Sequence, residues 1–463
     1  MRKRRRFLPR LSAQAGAGLL LLSLCALVPA VHAAWTIEAA DTLGNTGYRT
    51  HLVLDAAALP HVAFTRVDPY QLLYATRSSA GTWTTETVDA NEGNAESFYN
   101  SIALDQQGVP HIAYYSGAGR LSYATRGASG QWSSKVVDAD SLVGKTPCLA
   151  IASTNRAYIS YFDERHGHLK LAMQTANGWT TTVLDSTGVV GWDTSLALDV
   201  RDVPHIAYHE WVTGQLRYLV VGSIPQVVDE PGPFPTLYNT SLALDAASLA
   251  HISYLEATHF DLRYATQKAS TGWTLATLDT TGETGGHTSL ALDHAELPHI
   301  SCHDRTQGNL RYASLQSDGV WRLETVDGLA DSVGEMTSLA LDAQGDPHIT
   351  YLDKTNTNLD YAVDPTWTEI SGPASDASHK MHFAAEVSVS RDVTLTWAIP
   401  HATPQLRIDA FTVDGRYLDS LWNAATAPGS VTLRWTPPPT IHGIVFLVAR
   451  WGGADAVTRC IVL

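Results

Sequence analysis

Ser241-Leu242-Ala243-Leu244-Asp245, a short turn, His251-Ile252-Ser253-Tyr254, a second turn, then Leu262-Arg263-Tyr264-Ala265-Thr266: this stretch decides the architecture. Variants of it recur seven times. The aspartate that ends the first segment marks the register at Asp55, Asp105, Asp199, Asp245, Asp293 and Asp342, with Ala152 in a degenerate third copy. The steps are 50, 47, 47, 46, 48 and 49 residues. Within each segment apolar and polar residues alternate with the period of two that a half-buried strand requires. A fixed period of this length built from short strands is the signature of a radial β-repeat, and seven copies close a ring. The expected fold is all-β: a seven-bladed β-propeller over residues 34–364, a linker over 365–380, and a small immunoglobulin-like β-sandwich over 381–463.

The unit is completed by a fourth strand preceded by tryptophan: Trp83–Asp89, Trp132–Asp138, Trp179–Asp185, Trp273–Asp279 and Trp321–Asp327. The four strands are called a, b, c and d in chain order. Trp35–Asp41 has the same pattern but stands before the first strand a. The chain therefore enters the ring at strand d, and residues 35–40 are expected to pair beside Leu359–Ala362 in the last blade. Such a join removes a free sheet edge without a covalent link. Trp367-Thr368-Glu369-Ile370 competes for the same slot. Copy four lacks the tryptophan before its strand d, in the region Ile224–Asp229.

Residues 1–33 have the layout of a secretory signal peptide. Arg2, Lys3, Arg4, Arg5, Arg6 and Arg10 precede a leucine-rich run, and Val31-His32-Ala33 offers a cleavage site. Arg4-Arg5-Arg6-Phe7-Leu8 also resembles a twin-arginine signal. Removing this segment takes away six basic residues and no acidic one, so the formal charge moves from −15 to −21. So acidic a chain is a poor partner for nucleic acid or anionic lipid. No later stretch is long and apolar enough to insert the mature chain in a membrane. The expected location is secreted, periplasmic or at the cell surface. Cys25 leaves with the signal, and Cys148, Cys302 and Cys460 remain as separate thiols, too few and too scattered for a disulfide framework.

Two pairs of residues are kept or lost together across the copies. The strand-a aspartate and the histidine opening strand b lie six residues apart in six copies, from Asp55/His61 to Asp342/His348, and both are missing from copy three. Mutual contact across the a–b turn explains this better than metal binding, because a metal needs three or four ligands converging on one ion. At the end of strand b, Asp163, Glu210, Glu256 and Asp304 each precede a base by seven residues, at Lys170, Arg217, Arg263 and Arg311. This spacing suggests an ion pair across the b–c hairpin. Asp353 is the exception, since Asp360 stands where its base would be.

In a four-stranded meander the d–a and b–c connections emerge on one face. Those connections carry Tyr48, Phe98, Tyr99, Trp192, Phe234, Tyr238 and His287, and His166, His168, Trp211, His259 and Phe260, with His209 and His303 just before them. Rings and imidazoles concentrated in variable loops on one face form a candidate binding surface. The residues expected to bind are Phe98, Tyr99, Trp192, Trp211, Phe234, Tyr238, His259, Phe260, His287, His303 and Asp353. No motif asks for a cofactor or a metal, and no local signature of a nucleophile elbow, zinc protease or phosphate loop occurs.

From Met381 strand-like runs are separated by turn residues at a spacing that suits a β-sandwich of about 80 residues. Within it, Leu406-Arg407-Ile408-Asp409-Ala410-Phe411-Thr412-Val413-Asp414-Gly415-Arg416 resembles the signature of immunoglobulin-like modules of the flagellar hook-cap type, which also close type IX secretion cargo. Pro428-Gly429 before Val431-Thr432-Leu433-Arg434-Trp435, and the final Thr458-Arg459-Cys460-Ile461-Val462-Leu463, are similar to the rest of that module. Thr436-Pro437-Pro438-Pro439 replaces the acidic turn those modules often carry. The ring resembles secreted bacterial seven-bladed propellers with Leu-Asp…Pro-His-Ile repeats and, distantly, sialidase-like propellers, although the sialidase aspartate box is absent. The resemblance implies export or tethering through the C-terminal module, with secretion machinery as a partner.

Three functions fit: a recognition protein that binds glycan or protein with the loop face, a glycan hydrolase or lyase using the same face, and a structural envelope component. The enzyme needs two groups among Asp353, His209, His303 and Asp193 to approach within about 5–10 Å at the channel mouth, the range of glycosidase carboxylate pairs.

Overall fold

The computed structural model describes residues 35–365 apart from 91–98, 231, 233–239, 269–271 and 329–331, and the strands of the C-terminal region between 382 and 462. The signal segment, the linker and the residues Phe98, Phe234 and Tyr238 lie outside the described residues.

Seven four-stranded antiparallel sheets run through the propeller. Blade 1 consists of Tyr48–Leu54, Pro60–Arg66, Gln71–Arg77 and Trp83–Asp89, and blades 2 to 6 repeat this order. Blade 7 takes strands a, b and c from Val333–Leu341, Pro347–Asp353 and Asn358–Val363, and strand d from Thr36–Asp41. Thr36 pairs with Val363, Ile37 with Ala362 and Asp41 with Leu359, so the N-terminal strand closes the circle. Copy four forms its strand d over Gln226–Asp229 without a tryptophan.

The core lies between blades. Leu52, Val62 and Leu73 of blade 1 pack with Leu359 and Tyr361 of blade 7 and Ala40 of the closing strand. Five strand-d tryptophans seal a seam by meeting the strand-c tyrosine of the preceding blade edge to face. Trp35 lies 5.3 Å from Tyr312, Trp83 5.3 Å from Tyr361 and Trp132 5.2 Å from Tyr74. Contacts of this geometry contribute about 0.5–1.5 kcal/mol beyond area burial. Three of these indoles also donate to glutamates on the neighbouring strand d, Trp83 to Glu38 at 2.8 Å, Trp132 to Glu86 at 3.0 Å and Trp35 to Glu324 at 3.4 Å.

The aspartate–histidine contact has a third member. Oδ1 of Asp55 accepts the amides of Ala57 and Leu59 and so shapes the a–b turn. Oδ2 faces the histidine Nε2, at separations from 3.3 Å for Asp105–His111 to 3.8 Å for Asp199–His205. The other ring nitrogen meets a strand-c tyrosine hydroxyl, 2.5 Å away in His205–Tyr218 and His348–Tyr361. Copy three, which lacks the pair, uses Asp202 of the next blade: its carboxylate takes the amide and hydroxyl of Ser153.

The strand-c bases differ from expectation. They reach across the seam to the strand-d aspartate of the preceding blade, not chiefly to the acid in their own hairpin. Lys170 lies 2.5 Å from Asp138 but 3.9 Å from Asp163. Arg217 pairs with Asp185 at 3.2 Å and Arg263 with Asp229 at 2.5 Å. A strand-b tyrosine donates to the same aspartate, as Tyr208 does to Asp185 at 2.7 Å. The hairpin acids cap their own turns instead. Glu210 accepts the amides of Val212 and Thr213, and Asp304 those of Thr306 and Gln307.

The C-terminal strands form two antiparallel sheets. One holds His382–Val387, Val393–Ile399 and Gly429–Trp435. The other holds Tyr417–Thr426, Thr403–Thr412, Gly443–Trp451 and Ala454–Val462 in that spatial order.

Candidate binding site at the channel mouth

Strand a is longer than the repeat pattern indicates. In blades 3, 4 and 7 it spans nine residues, and its first half carries register shifts against strand b, as between Val190, Trp192 and Ser195. In this half-strand one side chain from each of the six blades described there faces the channel, and in blades 1, 3, 4, 6 and 7 it stands at the bulge. Counted six residues before the strand-a marker, that side chain is Arg49, Tyr99, Thr146, Asp193, His287 or Met336 in the described blades. Five of the six have left-handed backbone: φ is 53° at Arg49, 44° at Thr146, 49° at Asp193, 51° at His287 and 55° at Met336. A non-glycine residue held there costs about 1–3 kcal/mol, and such strain concentrates at ligand sites.

The next two positions explain how the bulges are held. Threonine hydroxyls bond the strand b of the preceding blade: Thr50 to Thr350 at 2.8 Å, Thr288 to Ser253 at 2.8 Å and Thr337 to Ser301 at 2.9 Å. One residue further, a serine hydroxyl accepts an amide from the next blade. Ser101 receives Leu149, Ser195 receives Leu242, Ser241 receives Leu290, Ser289 receives Leu339 and Ser338 receives Leu52 across the closure. Cys148 fills the same role for the amide of Leu196 at 3.2 Å, which accounts for a thiol at this position. His51 occupies this position in blade 1.

The ring opens into a cavity of about 510 Å³ lined by strand a of all seven blades. That volume falls within the range of small-ligand sites. Arg49 stacks over Tyr99, with its guanidinium carbon 3.5 Å from the ring centre. Asp193 is enclosed by protein although part of its surface opens on the channel. Burial raises its carboxyl well above the usual carboxylate range, Arg49 partly offsetting, and its Oδ2 has no hydrogen-bond partner among the described residues. Burial lowers His51 and His287 to about 4 and His209 to about 3, so these imidazoles are neutral at neutral pH. The mouth therefore combines one guanidinium with neutral donors and acceptors.

An aromatic wall flanks the ring. Trp192 meets Trp211 at 5.1 Å and Phe162 at 5.2 Å, both edge to face. In blade 6 the rings of His287 and His303 lie 6.2 Å apart. His303 is buried, and neither ring nitrogen has a hydrogen-bond partner among the described residues. Burial lowers its pKa, with Glu335 and Asp304 opposing.

Of the residues expected from the sequence, Tyr99, Trp192 and His287 line the cavity, Trp211 joins through Trp192, and His303 joins through His287. His259 and Phe260 lie on the b–c turn of blade 5, where Glu256 caps His259 and Arg305 lies 5.5 Å over Phe260. Asp353 accepts the amide and side-chain nitrogen of Asn356 and holds its own turn. His209 is buried, bonded to Thr240 at 2.6 Å. Arg49, Thr146 and Met336 were not singled out. The signal that finds them is the one register position whose residue type changes in every copy, while the next two positions are Thr and Ser in five copies of seven each. Among the described residues the cavity lining holds a single carboxylate, Asp193.

No protein-family model matches the chain, and no curated protein does. Solved structures match in fold. A fungal alcohol oxidase of the AA5 family, in complex with copper, aligns over 92% of this chain and 99% of its own at 10% identity, with a TM-score of 0.50. The fucose-specific lectin from Aleuria aurantia aligns over 62% of this chain and 98% of its own at 12% identity and a TM-score of 0.44. Polysaccharide lyase Uly1 aligns over 70% and 90% at 11% identity, again with a TM-score of 0.44. What they share with this chain is the propeller.

Proposed function

We propose that the protein is a secreted or cell-surface recognition protein that binds glycan at the mouth of the propeller channel. One observation carries the reading: a repeat that is otherwise regular presents a different side chain from each of the six blades described at the mouth, five of them on strained backbone, beside the part-buried indole of Trp192. Regular positions serve the ring, whereas a position free to vary serves a ligand. Sugars need planar donors and acceptors for hydroxyls and aromatic faces for their apolar sides. Arg49, Asp193, His287 and Tyr99 supply the first, and Trp192 with Trp211 the second. Among the described residues the lining holds one carboxylate, not the pair that glycosidic hydrolysis uses. The C-terminal region, read as an immunoglobulin-like module, serves export or tethering.

A second reading, a glycan lyase, draws on the neutral His287–His303 pair as a proton acceptor. The test is a glycan array probed with the purified protein and with Asp193→Asn and Trp192→Ala. Selective binding that is lost in both variants supports the reading. A blank array with folded protein, or turnover of a bound polysaccharide seen as new unsaturated ends, overturns it.

A further inference from the structure

Two neighbouring seams of the ring are closed by the same three side chains in the same register. Between blades 7 and 1, Glu38 stands opposite Tyr361 on the adjacent strand, and Arg77 stands opposite Trp83. The Glu38 carboxylate accepts Nε of Arg77 at 2.5 Å and Nε1 of Trp83 at 2.8 Å. Between blades 1 and 2, Glu86 stands opposite Tyr74 and Arg126 opposite Trp132. Its carboxylate accepts a guanidinium nitrogen of Arg126 at 2.6 Å and Nε1 of Trp132 at 3.0 Å. In both seams one carboxylate joins a cation to an indole N–H.

Between blades 2 and 3 the register is kept and the chemistry is changed. Trp179 meets Tyr123 edge to face at 5.0 Å, as Trp83 meets Tyr361 and Trp132 meets Tyr74. The residue opposite Tyr123 is now Lys135 in place of glutamate, and the residue opposite Trp179 is Gln174 in place of arginine. Cation and indole remain, and the carboxylate between them is gone. In the other tryptophan-bearing seams the glutamate position holds Glu324, Gln226 or Ala276, so Lys135 alone puts a positive charge there. A cavity of about 300 Å³ opens at this seam, lined by Lys135, Gln174 and Trp179 with Thr125, Ser133 and Thr175. The Lys135 ammonium is exposed and has no ion-pair or hydrogen-bond partner among the described residues. The lining carries no acid. Asp105, bonded to the lining residue His111, is already engaged by the amides of Gln107 and Val109.

We propose that this cavity binds a carboxylate-bearing sugar of the hexuronate class, its carboxylate taking the role that Glu38 and Glu86 have in the neighbouring seams, as acceptor for Lys135 and for the indole N–H of Trp179. Hydrogen bonds between a carboxylate and a cation are about twice as strong as neutral ones. Gln174 accepts the amide of Ala157 through its side-chain oxygen, which leaves its side-chain nitrogen to donate. With the threonine and serine hydroxyls it serves the ring hydroxyls of a sugar, and the part-buried indole serves an apolar sugar face. A volume of about 300 Å³ is at the lower end for small-ligand sites and suits one sugar ring. None of these residues lines the channel mouth, so the site stands whether or not the mouth binds glycan.

The test is titration calorimetry and saturation-transfer NMR of the purified protein with sodium glucuronate, glucose and sodium acetate. Glucuronate should bind saturably at one site, and glucose and acetate at least about tenfold more weakly. Lys135→Gln changes an exposed residue, should keep the melting midpoint, and should weaken glucuronate at least about tenfold. Lys135→Glu/Gln174→Arg rebuilds the triad of the neighbouring seams and should melt at or above the wild type while binding no glucuronate. Trp192→Ala, at the channel mouth, should leave glucuronate binding unchanged, which separates this site from the mouth. The proposal is overturned if the folded wild type shows no saturable glucuronate binding, or if glucose or acetate binds as well as glucuronate. It is equally overturned if binding survives in Lys135→Gln or is lost in Trp192→Ala.

Discussion

At the scale of single residues, the mouth of the channel is shaped by side chains that bind backbone. Ser338 accepts the amide of Leu52 at 3.0 Å across the closure, so Ser338→Ala leaves a buried donor unsatisfied and should cost about 1–3 kcal/mol in denaturant unfolding. A change within a few tenths of a kcal/mol would show that the serine ring does not hold the blades. Asp193 is a sharper probe. Its raised carboxyl pKa means that the folded state holds a proton that the unfolded chain releases above about pH 4, so stability falls as pH rises beyond that point. Asp193→Asn keeps a residue tolerant of left-handed backbone and removes the titration. The variant should lose that decline, and an unchanged pH slope would contradict the burial of this carboxyl. At this scale the sequence was only partly legible. Trp192, Tyr99 and His287 stood out as rings and imidazoles. Arg49 and Thr146 did not, because an arginine or threonine at the head of a strand carries no signal until the bulge turns it over the channel.

At the scale of elements, the closing strand is the clearest device. Trp35, Ile37 and Asp41 repeat the pattern of a strand d with no blade of their own, and that mismatch is what makes the closure legible in the sequence. The structure pairs Ile37 with Ala362 and sets Trp35 against Tyr312. Removing residues 34–41 exposes the edge of the last blade and should abolish cooperative unfolding or lower the melting midpoint. An unchanged melting curve would mean that another segment closes the ring. The ion pairs were legible as covarying letters but not as contacts. A spacing of seven residues fits a hairpin, yet Arg217 reaches Asp185 in the preceding blade while Glu210 caps its own turn. Sequence offset carries no information about the neighbouring blade, which is where these side chains point.

At the scale of the whole molecule, seven-fold repetition made the architecture readable, and the same repetition hid the site. Six strand-b histidines look like a ring of ligands, but in each of those six blades they are absorbed by Asp and Tyr partners. The buried imidazoles also set the acid limit. Burial lowers His51 and His287 to about 4 and His209 to about 3, so the unfolded chain binds protons that the folded chain refuses. Their contribution is complete above about pH 6.5 and is lost as pH falls toward 4. Asp360, pushed up to about 7 by burial and by Asp353 and Asp327, acts in the opposite sense and weakens the fold as pH rises from about 4 to 7. The two sets oppose each other between about pH 4 and 6.5, so the imidazoles are read in Asp193→Asn/Asp360→Asn, where calorimetry should give a midpoint that falls as pH drops through this window, while Asp360→Arg should raise the neutral side of the profile. A midpoint flat from about pH 6.5 to 4 in the double variant would contradict the neutral imidazoles. The central claim, a glycan site at the channel mouth, is tested most directly by a crystal structure with the best oligosaccharide from the array. The account predicts sugar density between Trp192 and the Arg49–Tyr99 stack, within hydrogen-bond reach of Asp193. Density confined to the grooves between blades, beside Glu38, Arg77 and Trp83, would contradict it.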